Sequence, residues 1–122
     1  MANGNTATID TRSGYLTLIN VYEVDPEKQT ELIQALSDAT DNVIRHQPGF
    51  LSVCLHRSLD GHKVVNYAQW ASKEHFENFM RLPGTQEQLK RFASLAKSVF
   101  PAVYKVCSVH AEPSASTSTA RR

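Results

Sequence analysis

The sequence predicts a single α+β domain with the element order βαββαβ, covering about residues 14–110 of a 122-residue chain. Three observations predict it. Four runs are rich in β-branched and aromatic residues, as strands are. Apolar residues recur at helical spacing between the first and second runs and between the third and fourth. An Asp60-Gly61 pair, a strong hairpin signal, separates the second run from the third. A chain of this length closes one core. Its 41% hydrophobic and 20% charged residues have the balance of a globular domain.

Residues 14–24 (GYLTLINVYEV) read as the first strand. Asp25-Pro26 follows, an N-cap residue and then a proline at the first helical position, where its missing N–H is not needed. The helix is expected to run to about His46, with Leu32, Ile33, Leu36, Ala39, Val43 and Ile44 on one stripe, and to end at Pro48-Gly49. Residues 50–59 and 63–71 form the hairpin strands. Ser72 caps a short helix carrying Phe76, Phe79 and Met80. Pro83-Gly84 interrupts it, and Thr85 with Gln88 has capping-box spacing for a further helix bearing Leu89, Phe92 and Ala96. Phe100-Pro101 is expected to break the chain again before a last strand at 102–110. Residues 1–13 and 111–122 have little apolar surface to offset the entropy of ordering and are expected to be disordered.

This order is the split βαβ, ferredoxin-like arrangement, a four-stranded antiparallel sheet with helices on one face. Along the third strand Val64 and Ala68 point one way, Val65 and Tyr67 the other. A sheet apolar on both faces must cover the second, which predicts a homodimer with sheets face to face. A net charge of +1 and the lack of basic runs interleaved with aromatics argue against nucleic acid or an acidic membrane as partner. The apolar runs are too short to span a bilayer, and the polar start of the chain does not resemble a secretory signal. A cytoplasmic location is expected, with Cys54 and Cys107 as two buried thiols.

The chemistry-bearing patterns with strong signatures are missing from the sequence: no phosphate loop, no G-x-S-x-G, no C-x-x-C, no H-E-x-x-H. His56 and His75 are the pair from which a metal site could in principle be built. The polarity of the third strand remains. Asn66 and Trp70 share a face with Val64 and Ala68, and a buried Asn must find hydrogen bonds or cost about 1–3 kcal/mol. Together they could hydrogen-bond and stack on a planar aromatic ligand. The spacing equally allows Asn66 to pair with the backbone and Trp70 to close the core. Asn20 shares a face of the first strand with Leu18 and Tyr22, either as an internal amide pair or as a second polar group of the same cavity. His75, Phe76, Phe79 and Met80 could line a pocket between helix and sheet, or serve as core and helix-start residues. Lys90 and Arg91 flank Leu89, at least one of them on a solvated face.

The succession Pro48-Gly49-Phe50-Leu51-Ser52, then His56, Ser58, Asp60-Gly61 and Val64-Val65-Asn66-Tyr67-Ala68-Gln69-Trp70 resembles the antibiotic biosynthesis monooxygenase family. The likeness extends over about residues 14–110. It implies a dimeric ferredoxin-like fold, with a cavity between sheet and helices in each subunit. It also implies a monooxygenase that uses O2 without metal, flavin or haem, acting in its polyketide members on phenolic anthrones to give quinones. On this resemblance Asn66 and Trp70 hold the substrate or its oxygens. Lys90 falls where anthrone-oxidising members carry an Arg, and Phe76 where they carry a Tyr. Phe has no proton to give, so either a neighbour such as His75 substitutes or the chemistry differs. Related dimers degrade haem with a first-strand Asn, which Asn20 matches, and a His ligand at a position occupied here by Gln88. A dimer that binds a small molecule without catalysis is the non-enzymatic alternative.

Overall fold

The computed structural model describes residues 6–12 and 14–113. The strands are β1 (Leu16–Glu23), β2 (Phe50–Arg57), β3 (Lys63–Trp70) and β4 (Ser98–Tyr104). The helices are α1 (Pro26–Asn42), α2 (Lys73–Met80) and α3 (Pro83–Ser94), with a 3-10 turn at Ile44–His46. The strands form one antiparallel sheet in the order β2-β3-β1-β4. This is the ferredoxin-like arrangement the sequence predicts, with the three helices of the βαββαβ chain on one face.

The local chemistry explains most boundaries. Pro26 opens α1 and Asp25 stands at its N-cap position, although the Asp25 side chain makes no capping bond. Ser72 caps α2, its Oγ accepting from the His75 N–H at 3.1 Å. The β2–β3 connection is a five-residue loop rather than a two-residue turn. Gly61 adopts a φ of +86°, and Asp60 Oδ1 accepts from Ser58 Oγ at 2.7 Å and His62 N at 3.0 Å. The backbone N–H of His62, then the side-chain hydroxyl of Ser58, holds the Asp60 carboxyl below the usual carboxylate range.

Several boundaries differ from the expectation. The regular part of α1 ends at Asn42, and the chain reaches Pro48 through Val43 and the 3-10 turn. Pro83 begins α3 rather than separating it from what precedes. Thr85 is therefore inside the helix, where its Oγ1 donates to the Phe79 carbonyl at 2.8 Å instead of forming a capping box. The last strand lies earlier than residues 102–110. It starts at Ser98, and Phe100-Pro101 is in its middle, with Pro101 opposite Asn20. An edge strand bonds to the sheet on one side only, so a residue without an N–H is tolerated there. Cys107 consequently falls beyond β4 and is exposed, while Cys54 is partly buried; both are free thiols. Residues 6–12 and 111–113 lie outside helices and strands, and the remainder of the expected disordered ends lies outside the described residues.

The core sits between α1 and the sheet. Leu32, Leu36 and Ala35 of α1 close on Tyr22 and Val24, on Val64 and on Phe92 of α3. Gln29 is buried with them, its Nε2 donating to the carbonyls of Ser58 (3.0 Å) and Lys63 (2.9 Å). The opposite face of the sheet carries Ile19, Val21, Val65 and Tyr67, with Phe100 and Tyr104 about half exposed on β4. No helix among the described residues is long and apolar enough to cross a membrane.

Candidate active site

Between the sheet and the helices lies a cavity of about 510 Å³. Strand alternation builds its floor. Leu18, Asn20 and Tyr22 of β1 lie beside Asn66, Ala68 and Trp70 of β3, all on the helix-covered face. Phe76, Phe79 and Met80 of α2 form one wall. The other is the α3 stripe Thr85, Gln88, Leu89 and Phe92, spaced as one helical face.

Aromatic contacts shape one end. Trp70, only 1% exposed, stacks on Phe79 with centroids 5.0 Å apart and planes at 24°. It meets Phe76 and Phe50 edge-on, at 6.2 Å and 5.8 Å. Such pairs contribute about 0.5–1.5 kcal/mol each beyond burial and leave a rigid apolar surface.

Polarity is concentrated in amides. Asn20 and Asn66 are directly opposite each other in the β1–β3 register, which sets their Cβ atoms about 4.5–5.5 Å apart. Gln88 lines the same cavity from α3. The side-chain oxygens of Asn20, Asn66 and Gln88 are buried and have no hydrogen-bond partner among the described residues. Each such acceptor costs about 1–3 kcal/mol while it is unmet. Among the described residues Tyr22 is the one titratable group lining the cavity; burial pushes its phenol up to about 12, with Asn20 acting in the opposite sense.

Asn66, Trp70, Asn20, Tyr22, Phe76, Phe79 and Met80 thus come together, whereas Lys90 and His75 do not. Lys90 is exposed, because it lies off the 85-88-89-92 stripe that faces the sheet, and Arg91 is exposed as well. The His75 ring packs beneath Gly49, where a Cβ would collide with it. Its Nδ1 is 2.7 Å from Ser72 Oγ. It lines a separate cavity of about 190 Å³ with Gln47, Pro48 and Asn78, which shares Phe79 and Leu82 with the larger one. Gln88 is the polar residue that the sequence reading assigned to a helix cap. The signal for it was present in the helical period that also selects Leu89 and Phe92.

No group of three or more metal-ligating side chains occurs among the described residues. His56 is opposite Val65 on the far face of the sheet, so it does not join His75. Among the described residues the cavity lining includes no imidazole and no thiol, so this donor set does not provide the histidine ligand of the haem-degrading alternative.

The sequence profile of the antibiotic biosynthesis monooxygenases matches residues 15–97. The chain belongs to the antibiotic biosynthesis monooxygenase family. It is 44% identical over 96 residues to the tetracenomycin-F1 monooxygenase of Streptomyces glaucescens, a match covering 77% of this chain and 86% of that protein. It is also similar to the crystal structure of a monooxygenase from the gene ActVA-Orf6 of Streptomyces coelicolor in complex with nanaomycin D. There the identity is 30% and the TM-score 0.75, over 84% of this chain and 96% of that one. SnoaB from Streptomyces nogalater, described as a cofactor-independent oxygenase, shares the fold at 19% identity and a TM-score of 0.70, over 82% of this chain and all of that one. Family membership and the ferredoxin-like fold are thereby the ones the PGF…DG…NYAQW succession implied.

Proposed function

We propose that this member of the antibiotic biosynthesis monooxygenase family oxidises a planar phenolic polyketide of the anthrone type to a quinone, using O2 and no metal, flavin or haem. One observation carries the reading: three amide side chains whose oxygens have no hydrogen-bond partner among the described residues line an apolar cavity with the stacked Trp70 and Phe79. Unmet acceptors suit a ligand rich in hydroxyl donors, and the flat walls suit fused rings. The names of the relatives, a tetracenomycin-F1 monooxygenase and a monooxygenase bound to nanaomycin D, support the same substrate class.

In this reaction the activated CH2 of the substrate becomes C=O, with one oxygen atom of O2 in the product and the other in water. The cavity offers no carboxylate or imidazole to remove the first proton, so that proton leaves by virtue of the substrate's own acidity. Asn66 and Asn20 would hold the phenol and, with the amide turned, donate N–H to the anion that forms. Trp70 and Phe79 would fix the ring plane, and burial would keep water away from the electron-rich carbon.

The partly exposed apolar face of the sheet supports a homodimer with these faces together, in the cytoplasm where both thiols stay reduced. Light scattering that gives the mass of a monomer at micromolar concentration would refute the dimer.

The test of function is oxygen consumption with dithranol, a phenolic anthrone, in chelator-treated protein. The expected result is a rate well above spontaneous oxidation and one water formed per quinone. A rate equal to the spontaneous one defeats the reading for this substrate class.

A further inference from the structure

The proposed reaction moves two protons, yet among the described residues the cavity is lined by a single titratable side chain. Its lining from β1, β2, β3, α1, the 3-10 turn, α2, α3 and β4 comprises apolar groups, amides, Thr85 and Tyr22, with no carboxylate, imidazole, thiol or ammonium. Phe76 lies against Trp70 and carries no proton to donate. His75 belongs to the smaller cavity and is engaged by Ser72. Tyr22 is 2% exposed and lines the cavity on the same face of β1 as Asn20, which is itself opposite Asn66. Its side chain therefore borders the floor where the two amides would hold the substrate.

We infer that Tyr22 is the proton-transfer residue of this site, first an acid toward the peroxide formed on the substrate and then a base toward the same carbon. The inference rests on the monooxygenase reading above. The substrate carbon gives its first proton to bulk solvent as the substrate ionises before it is enclosed, and the resulting electron pair forms a C–O bond to O2, which is reduced to a bound peroxide anion. That anion takes the hydroxyl proton of Tyr22. The Tyr22 phenolate then removes the second proton from the same carbon. The freed electron pair forms C=O as the O–O bond breaks and hydroxide leaves. Hydroxide combines with the first proton to give water, and Tyr22 ends the cycle protonated. Burial suits both halves: a phenol raised to about 12 is fully protonated near neutral pH, and its phenolate is a strong base.

Tyr22→Phe in the full chain, assayed with dithranol and O2, tests this. We expect kcat to fall about 100-fold with KM changed less than about twofold. A substrate–dioxygen adduct should accumulate in quenched turnovers of the variant, a signature that loss of packing alone does not produce. A variant within about threefold of wild-type kcat, with no adduct, overturns the role of Tyr22 while leaving the monooxygenase reading intact. A wild-type protein that does not oxidise dithranol overturns both. Should Tyr22→Phe fail to fold, a ring-fluorinated tyrosine placed at position 22 lowers the pKa of the phenol at nearly constant volume. The alkaline fall in kcat should then move to lower pH, and a fall that does not move overturns the inference.

Discussion

Two amides on the helical layer are treated in opposite ways. Gln29 on α1 is 6% exposed, and its Nε2 is satisfied twice, by the carbonyls of Ser58 and Lys63. Gln88 on α3 has a buried oxygen with no partner. The helices around them differ in the same sense. α1 runs unbroken for 17 residues and seats Leu32 and Leu36 against the sheet with 0% and 2% exposure. α2 and α3 are 8 and 12 residues long, and α2 has no fully buried residue. One half of the sheet face is thus a packed core with paired polarity, and the other encloses a cavity with unpaired polarity. A fold that can satisfy one buried glutamine and leaves another unmet, beside two asparagines, has a ligand-sized gap in its hydrogen bonding rather than a general packing defect.

The largest effect belongs to the packed half. Leu32→Ala should cost about 2–5 kcal/mol in urea unfolding, from lost burial and a residual void. Leu32 does not line the cavity, so the folded fraction should keep its turnover of dithranol. A loss below about 1 kcal/mol would remove the contrast between the halves. The cavity half should respond in the other direction. Asn66→Leu removes an unmet acceptor and should raise stability by about 1 kcal/mol. The same change should lower kcat/KM about 100-fold, since it deletes a group aimed at the substrate. A variant both less stable and fully active would mean that Asn66 is a structural amide like Gln29.

Tyr22 spans the two halves, belonging to the core cluster and to the cavity lining. Its phenol is raised from 10.0 to about 12 in the folded chain, so the folded state holds this proton more tightly than the unfolded state. The corresponding stability is fully present below about pH 10 and is lost as pH rises through about 12, by about 2–3 kcal/mol. Tyr22→Phe should therefore flatten that part of the alkaline unfolding curve. An unchanged curve would show that Tyr22 does not stay buried and neutral.

How far the sequence revealed this division depended on the kind of signal. Strand alternation placed Asn66 with Trp70 and Asn20 with Tyr22, and the hairpin and the α1 stripe set the sheet around them. Those are local patterns of period 2 or 3.6, and they survive without knowledge of neighbours. The position of β4 was hidden because Pro101 reads as a breaker unless the strand is known to be an edge. That an amide is unpaired was hidden as well. Gln29 and Gln88 are the same residue type in amphipathic helices, and only the tertiary arrangement supplies the Ser58 and Lys63 carbonyls to one of them.

The smallest expected effect is the one that separates Gln88 from Lys90. The two differ by two residues on α3, which at 3.6 residues per turn turns them roughly 200° apart. Gln88 therefore faces the cavity and Lys90 faces solvent. Gln88→Leu should lower kcat/KM about tenfold, the loss of one hydrogen bond to the substrate. Lys90→Ala should change stability by less than about 0.5 kcal/mol and turnover by less than about twofold. If Lys90 instead supplied a positive charge to the reacting anion, its removal would lower kcat without changing stability. Its exposed position would also make the wild-type rate fall with added salt, because charges in solvent are screened over about 10 Å at 0.1 M ionic strength. Rates for both variants at low and high salt decide between the two faces of α3. A salt-independent wild type, with the loss confined to Gln88→Leu, assigns the anion to amide donors alone.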